Sequence, residues 1–319
     1  MAPYFTAVTE VVTKRIFKMV ATVNDNVCDS VEQSVKKTKI MEVNKSVHEI
    51  NREISDKEEE ELTRLRGIGV IPPYQLSTSC KTLVNAIEKS PPSIILLRQA
   101  LRTNTLLPGE IFTIATHADL NFVEVVGTHF INLMDSPVNP LTSKKLERGV
   151  ALHTTIIVLN NLFLADNDII DLCWLERLTD HTGSTKWDGI GFSVSNRKLV
   201  PLLIEFSGAI QHNNTIPKMI DDENKLIKGM KSVLAFTETL TDKMPLPIYY
   251  CRFYDSKIFF ESLGLLDNHL YLKRTHCIVT CPTTPKELQK FIYSTNTMFA
   301  WKSAVVNFAS DINDCKDPL

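Results

Sequence analysis

The stretch Lys186–Gly208, KWDGIGFSVSNRKLVPLLIEFSG, decides how the fold is read. Trp187 to Val194, with Gly189 and Gly191 interleaved, reads as a strand. Ser195 to Lys198 (SNRK) is a polar turn, and Leu199 to Phe206 is a dense apolar strand. Two apolar runs around a short polar turn predict a β-hairpin.

Outward from the hairpin, the carboxy-terminal side continues with a loop over Gly208–Thr215. A helix follows over Ile216–Leu240, with Met219, Leu226, Met230, Leu234 and Ala235 inward, and it stops before Pro245. Ile248–Tyr254 and Lys257–Leu263 flank a two-residue Asp255-Ser256 turn and form a second hairpin. His269–Thr280 adds a strand, and Pro285 to about Phe308 a closing helix. On the amino-terminal side, Leu146, Val150, Leu152, Ile156, Ile157, Leu159 and Leu162 have helical spacing, and Asp168–Leu178, holding Trp174, reads as a second helical piece. Pro91, Pro92 and Pro108 punctuate short helices between Cys80 and Phe130. The order implies an α/β or α+β sheet flanked by helices.

Near the amino terminus, Ile40, Val43, Val47, Ile50 and Ile54 recur at alternating three- and four-residue spacing, one helical seam. Either the seam packs on its own protein or it joins a second copy or another protein; barely two heptads do not decide. The acidic run Asp56–Glu61 (DKEEEE) follows. Gly67, Gly69, Pro72 and Pro73 then mark a boundary. A helical, partly solvated segment is therefore expected over residues 1–73, a helical linking region over 74–141, and a separate domain over 142–319.

The 319 residues carry 35 basic and 37 acidic side chains, are 44% hydrophobic and include 11 glycines, which excludes disordered and collagen-like classes for most of the chain. A formal charge of −2 argues against a protein coated in positive charge, while a local basic groove remains open. Seven scattered cysteines suit a reducing compartment. Charges interrupt the first 20 residues, so they are no secretory segment, and no apolar run is long enough to span a membrane. A cytoplasmic or nuclear location is expected. Phosphate-loop, dinucleotide and nucleophile-elbow motifs are missing from the sequence. His276, Cys277 and Cys281 lack zinc-knuckle spacing and read as core or loop residues. Arg252, Lys257, Lys273 and Arg274 are candidate phosphate contacts on the sheet, or simply charges that solvate a face.

The chemistry concentrates in the opening hairpin. Asp188 begins one strand and Glu205 lies near the end of the next, 17 residues on, so the fold-back brings both carboxylates toward one point at the sheet edge. Two hard oxygen donors suit Mg²⁺, which takes one or two carboxylates and fills its shell with water and phosphate oxygens. Such an ion activates water and neutralises charge on a phosphodiester. Each acid also has a plainer role: Asp188 as a strand-entry residue bonding backbone amides, Glu205 as a structural acid. Glu205 follows the apolar run Pro201–Ile204, and a buried carboxylate needs a partner in either role.

Asp188, followed after a hairpin by Glu205-Phe206-Ser207 at the end of an apolar strand, resembles the core of the PD-(D/E)XK nuclease-like superfamily. In that fold a helix carrying a Glu precedes the first strand and another helix follows the acidic motif. Leu146-Glu147-Arg148 is similar to the first of these. The text PIYYCRFYDSKIFFESLGLLDNHLYL, then HCIVTCP and a terminal helix, resembles the sheet completion of a divergent group of fungal proteins of this type. The resemblance covers about Thr142–Phe308 and implies a restriction-endonuclease-like mixed sheet flanked by helices. It implies Mg²⁺ held by Asp188 and Glu205, assistance from Glu147, and DNA or RNA as the substrate. The family's lysine falls at Ser207, which supplies no charge. In some relatives a basic residue moves to the following helix, where Lys218, Lys225 and Lys228 are candidates and Lys225 is the expected catalytic residue. A metal-dependent endonuclease and a non-catalytic scaffold that binds nucleic acid or protein both follow from this pattern.

Overall fold

The computed structural model describes residues 40–42, 67, 69–143, 146–208, 215–239, 247–267 and 270–313. Its centre is a mixed sheet of six strands: β2 (Ile170–Arg177), β3 (Trp187–Ser193), β4 (Leu202–Phe206), β5 (Pro247–Tyr254), β6 (Lys257–Asp267) and β7 (Leu270–Thr280). The three-residue strand β1 (Ile40–Glu42) extends it at one edge, giving the order β1-β7-β6-β5-β4-β3-β2. The pairs β1–β7 and β4–β5 are parallel and the other four are antiparallel. Parallel β4 and β5 need a crossover, and α6 (Ile216–Glu238) supplies it.

The helices preceding the sheet are α1 (Thr78–Lys89), α2 (Ile94–Leu101), α3 (Ala118–Asp135), α4 (Glu147–Ala151) and α5 (Thr155–Leu162). Two helices close the chain, α7 (Pro285–Tyr293) and α8 (Thr295–Asn313). Strand alternation separates the two faces of the sheet. Tyr249 and Phe260 meet Trp301 of α8, whose indole N–H donates to the Glu261 carbonyl at 3.1 Å. Arg252, on the opposite face, meets α6 through Glu223. Helices of residues 78–135 contribute Leu83, Phe122 and Phe130 to the same continuous core as Phe291, Phe299 and the strands. The expected linking region and the sheet therefore share one hydrophobic interior.

Three local features differ from the sequence reading. Ile40, expected at the start of a helical seam, lies in β1, whose backbone pairs with β7; the rest of the 40–54 seam lies outside the described residues. The segment expected as a second helical piece over Asp168–Leu178 is strand β2. Its Ile170, Leu172 and Trp174 alternate onto one face, the strand period, and pack across Gly189 and Gly191 of β3. A Cβ at Gly189 would stand 2.8 Å from the Trp174 ring, so only glycine admits that ring. The closing helix is two, broken at Ser294, with α7 opened by a Thr284–Glu287 capping box. The second hairpin turns as expected on Asp255 and Ser256, both at positive φ, the geometry of a two-residue turn matched to strand twist.

Among the described residues, no helix is long and apolar enough to cross a membrane.

Candidate active site

The β3–β4 register pairs Gly189 with Ile204 and Ile190 with Leu203; one further step sets Asp188 across from Glu205. Opposed residues of antiparallel strands share a face, so the two carboxylates point the same way. The Phe206 amide donates to Asp188 Oδ2 at 2.8 Å, tying the end of β4 to the start of β3. The expected meeting point at the sheet edge is corrected: β3 and β4 are interior strands, and the pair lies on the face that α6 covers.

Helix α6 changes character along its length. Its second half buries Leu226, Met230, Val233 and Leu234. Its first half turns charge inward, with Lys218, Asp222 and Lys225 at intervals of four and three residues, one helical face. Lys225 Nζ reaches Glu205 Oε1 at 2.6 Å and lies 5.0 Å from the centre of the Trp187 ring. Trp187 is fully buried, donates its indole N–H to Thr182 Oγ1 at 3.0 Å, and presses against Gly229 of α6. Lys218 Nζ is 2.9 Å from both Glu147 Oε2 and Asp222 Oδ2.

Two lysine–carboxylate groups thus flank Asp188. Lys228, the remaining candidate, is exposed on α6. Ser207, where the resemblance places a lysine, is fully buried; its N–H donates to the Phe253 carbonyl at 2.8 Å, and its hydroxyl has no hydrogen-bond partner among the described residues. A lysine there would have no water for its ammonium group, whereas Lys225 reaches Glu205 from above with its side chain one-third exposed.

Burial raises the Glu205 carboxyl to about 8, helped by the neighbouring Asp188 charge and opposed by Lys225. Burial also raises Asp188, against the pull of the Phe206 amide, Lys225, Arg148 and Lys218. Glu147 is raised by burial and by Asp188 and Asp222, with Lys218 opposing. Burial works against the Lys218 ammonium, but its bonds to Asp222 and Glu147 outweigh that and hold its pKa above the ordinary value. Buried acids that perturb one another in this way are a signature of functional sites.

Among the described residues, no group of three or more His, Cys, Asp or Glu forms a metal-ligand cage. Mg²⁺ does not require one: one or two carboxylates with water suffice. Among the described residues, Glu205 Oε2 is buried without a hydrogen-bond partner, an acceptor left open beside Asp188. When ionised, the four carboxylates of Glu147, Asp188, Glu205 and Asp222 leave two negative charges beyond Lys218 and Lys225, the charge a divalent cation balances. The residues fit a Mg²⁺ held by Asp188 and Glu205.

Two of the expected phosphate contacts are corrected. Arg252 and Lys273 are buried and occupied: Arg252 bonds Glu261 at 2.6 and 3.2 Å and Glu223 at 3.1 Å, and Lys273 also bonds Glu223. They anchor α6 to the sheet instead of facing a ligand. Sequence reasoning missed Asp222, Glu223 and this network. The signal was present in YYCRFY and FFESL, where a lone charge interrupts an apolar strand as Glu205 does. His276 bonds Ser262 Oγ at 2.8 Å, and Cys277 and Cys281 are buried, in keeping with core roles.

Comparison of the chain with protein-family models, curated proteins and solved structures gives no match.

Proposed function

We propose that the α4–β3–β4–α6 site is a PD-(D/E)XK-like, Mg²⁺-dependent centre for hydrolysis of phosphodiesters in DNA or RNA, with the motif lysine supplied by α6. The observation that carries the reading is Lys225 Nζ at 2.6 Å from Glu205 Oε1, on the sheet face shared with Asp188. The order of elements supports it: a helix bearing Glu147 precedes the strands, Asp188 and Glu205 occupy adjacent strands, and a helix follows the acidic motif. A mixed sheet with helices on both faces supports the restriction-endonuclease-like reading.

In this reading Asp188 and Glu205 hold the ion by their carboxylate oxygens. When bound, Mg²⁺ supplies a water of lowered pKa and neutralises charge on the phosphoryl oxygens. Lys225 then faces the reacting phosphate, where a fixed ammonium in a half-buried site stabilises the charge that develops. Glu147 and Asp222 hold Lys218 beside Asp188. This makes Glu147 a positioning residue.

The test is Mg²⁺-dependent cleavage of labelled DNA and RNA by the wild type beside Asp188→Ala and Glu205→Ala. The expected result is cleavage that both substitutions abolish. Activity surviving both would remove the pair from the mechanism. The alternative reading, a non-catalytic scaffold, is favoured by the Phe206 amide that already donates to Asp188 Oδ2, the plainer role of a strand-entry acid. It requires nucleic-acid or protein binding without cleavage by the wild type.

A further inference from the structure

We propose that Arg148 and Lys186, bridged by Glu176 at the rim of the carboxylate site, form a contact for the sugar–phosphate backbone of a nucleic-acid strand. The proposal rests on reading the site as one for phosphodiesters and adds where the strand lies.

Three observations carry it. The register of edge strand β2 breaks between Trp174 and Arg177, and the two residues inside the break, Leu175 and Glu176, both have positive φ, 63° and 50°. Neither is glycine, and consecutive left-handed residues of this kind are costly and concentrate where function holds them. The bulge sends the two Glu176 carboxylate oxygens to two different cations, Arg148 Nη2 at 2.9 Å and Lys186 Nζ at 2.8 Å. Those bonds drive the Glu176 carboxyl down to about 2, so it stays ionised between them.

Position is the second observation. Arg148 follows Glu147 directly and Lys186 stands two residues before Asp188, so both belong to the segments that deliver the acids. The Arg148 charge acts on Asp188.

The third is accessibility joined to charge. The three side chains are 54%, 59% and 48% exposed, open to a large ligand. Two cations against one carboxylate give the rim a net positive charge beside a negative interior. A polyanion meets the rim, and a divalent cation meets the carboxylates. A guanidinium and an ammonium already oriented on one carboxylate present the donors that a phosphate takes over. Glu176 is then an internal competitor for the phosphate, which sets the sign of its effect.

The experiment is fluorescence anisotropy of the full chain with a fluorescein-labelled single-stranded oligodeoxynucleotide and with its duplex, over a salt series in EDTA, where the proposed hydrolysis is off. Arg148→Gln and Lys186→Gln are each expected to weaken binding. Each should also reduce the slope of log K against log salt by about 0.7 on the single strand or about 0.9 on the duplex. Glu176→Gln is expected to tighten binding. Arg98→Gln, which removes an exposed pair with Asp135 on α2 and α3, should change neither quantity. Thermal melts of each variant establish that it is folded, and Lys186→Gln, at the most exposed of the three positions, keeps the test open if Arg148→Gln is not. Unchanged affinity and slope in the folded Arg148 and Lys186 variants, weaker binding by Glu176→Gln, or no binding by the wild type overturns the proposal. Rim effects without wild-type cleavage in Mg²⁺ would overturn only the hydrolytic reading. Cleavage without rim effects would overturn only the rim.

Discussion

Lys225 Nζ and Glu205 Oε1, on α6 and β4 and 20 residues apart, meet at 2.6 Å, while the other Glu205 oxygen is buried with no hydrogen-bond partner among the described residues. The sheet supplies the acid and the crossover helix supplies the cation. Neither strand alone holds the charges of the site, so its chemistry depends on how α6 is seated.

The seating has a pH signature. Folding raises the Glu205 carboxyl from an ordinary value of 4.5 to about 8, so the folded chain keeps a proton that the unfolded chain has lost. The contribution of a raised carboxyl to stability is therefore lost as pH rises between those values, and is constant outside them. Glu205→Gln removes this dependence. In denaturant titrations from about pH 5 to 9, stability of the variant relative to wild type is expected to rise with pH and level off above the raised carboxyl pKa. Parallel curves would show that Glu205 is not desolvated by folding.

Mg²⁺ should report the same proton. A proton on Glu205 competes with the metal, so affinity should climb as pH rises toward 8 and flatten beyond it. Calorimetric titration checks this, and Glu205→Gln should weaken binding and remove the climb.

Gly229 should tolerate no side chain. A Cβ there would overlap the six-membered ring of Trp187, which is fully buried and held by Thr182, so the ring has little room to give. Overpacking of this kind costs about 1–3 kcal/mol. Gly229→Ala is expected to lower the melting temperature and shift the Trp187 resonance in a fluorotryptophan NMR spectrum. An unchanged melt would mean that α6 sits farther from β3.

Arg252 should be a stronger stability determinant than any rim residue. Arg252→Met leaves Glu261, 1% exposed, with Lys273 and Thr275 as side-chain partners among the described residues. Breaking a buried ion pair from one side costs about 3–5 kcal/mol. Pairing the change with Glu261→Leu should recover part of that loss in denaturant titrations. If the double variant is as unstable as the sum of the two single ones, the residues are not coupled.

The fold was legible where period and turn chemistry agreed. The β3–β4 hairpin, the Asp255-Ser256 turn and α6 all carry patterns that only one local structure satisfies. Strand β2 was not legible, because the bulge at Leu175 and Glu176 cuts its alternation after Trp174 and leaves an apolar run that also suits a helix. The acids Asp188 and Glu205 could be read from a hairpin that opposes them. Of the three candidate lysines on the following helix, the expected Lys225 reaches Glu205, while Lys218 meets Glu147. Asp222 and Glu223 look like solvated charges on a helix. Only the position of α6 over Arg252 and Lys273 shows Glu223 turned inward.

The single-turnover rate of Mg²⁺-dependent cleavage of a labelled oligonucleotide by Lys225→Met, measured beside wild type at saturating enzyme, tests the central claim most directly. Loss of a fixed charge at the reacting phosphate should slow cleavage about 100- to 1,000-fold with little change in oligonucleotide affinity, and Lys225→Arg should restore part of the rate. Wild-type rates in Lys225→Met, or no cleavage by the wild type, would contradict the assignment of this lysine and its carboxylate partners to phosphodiester hydrolysis.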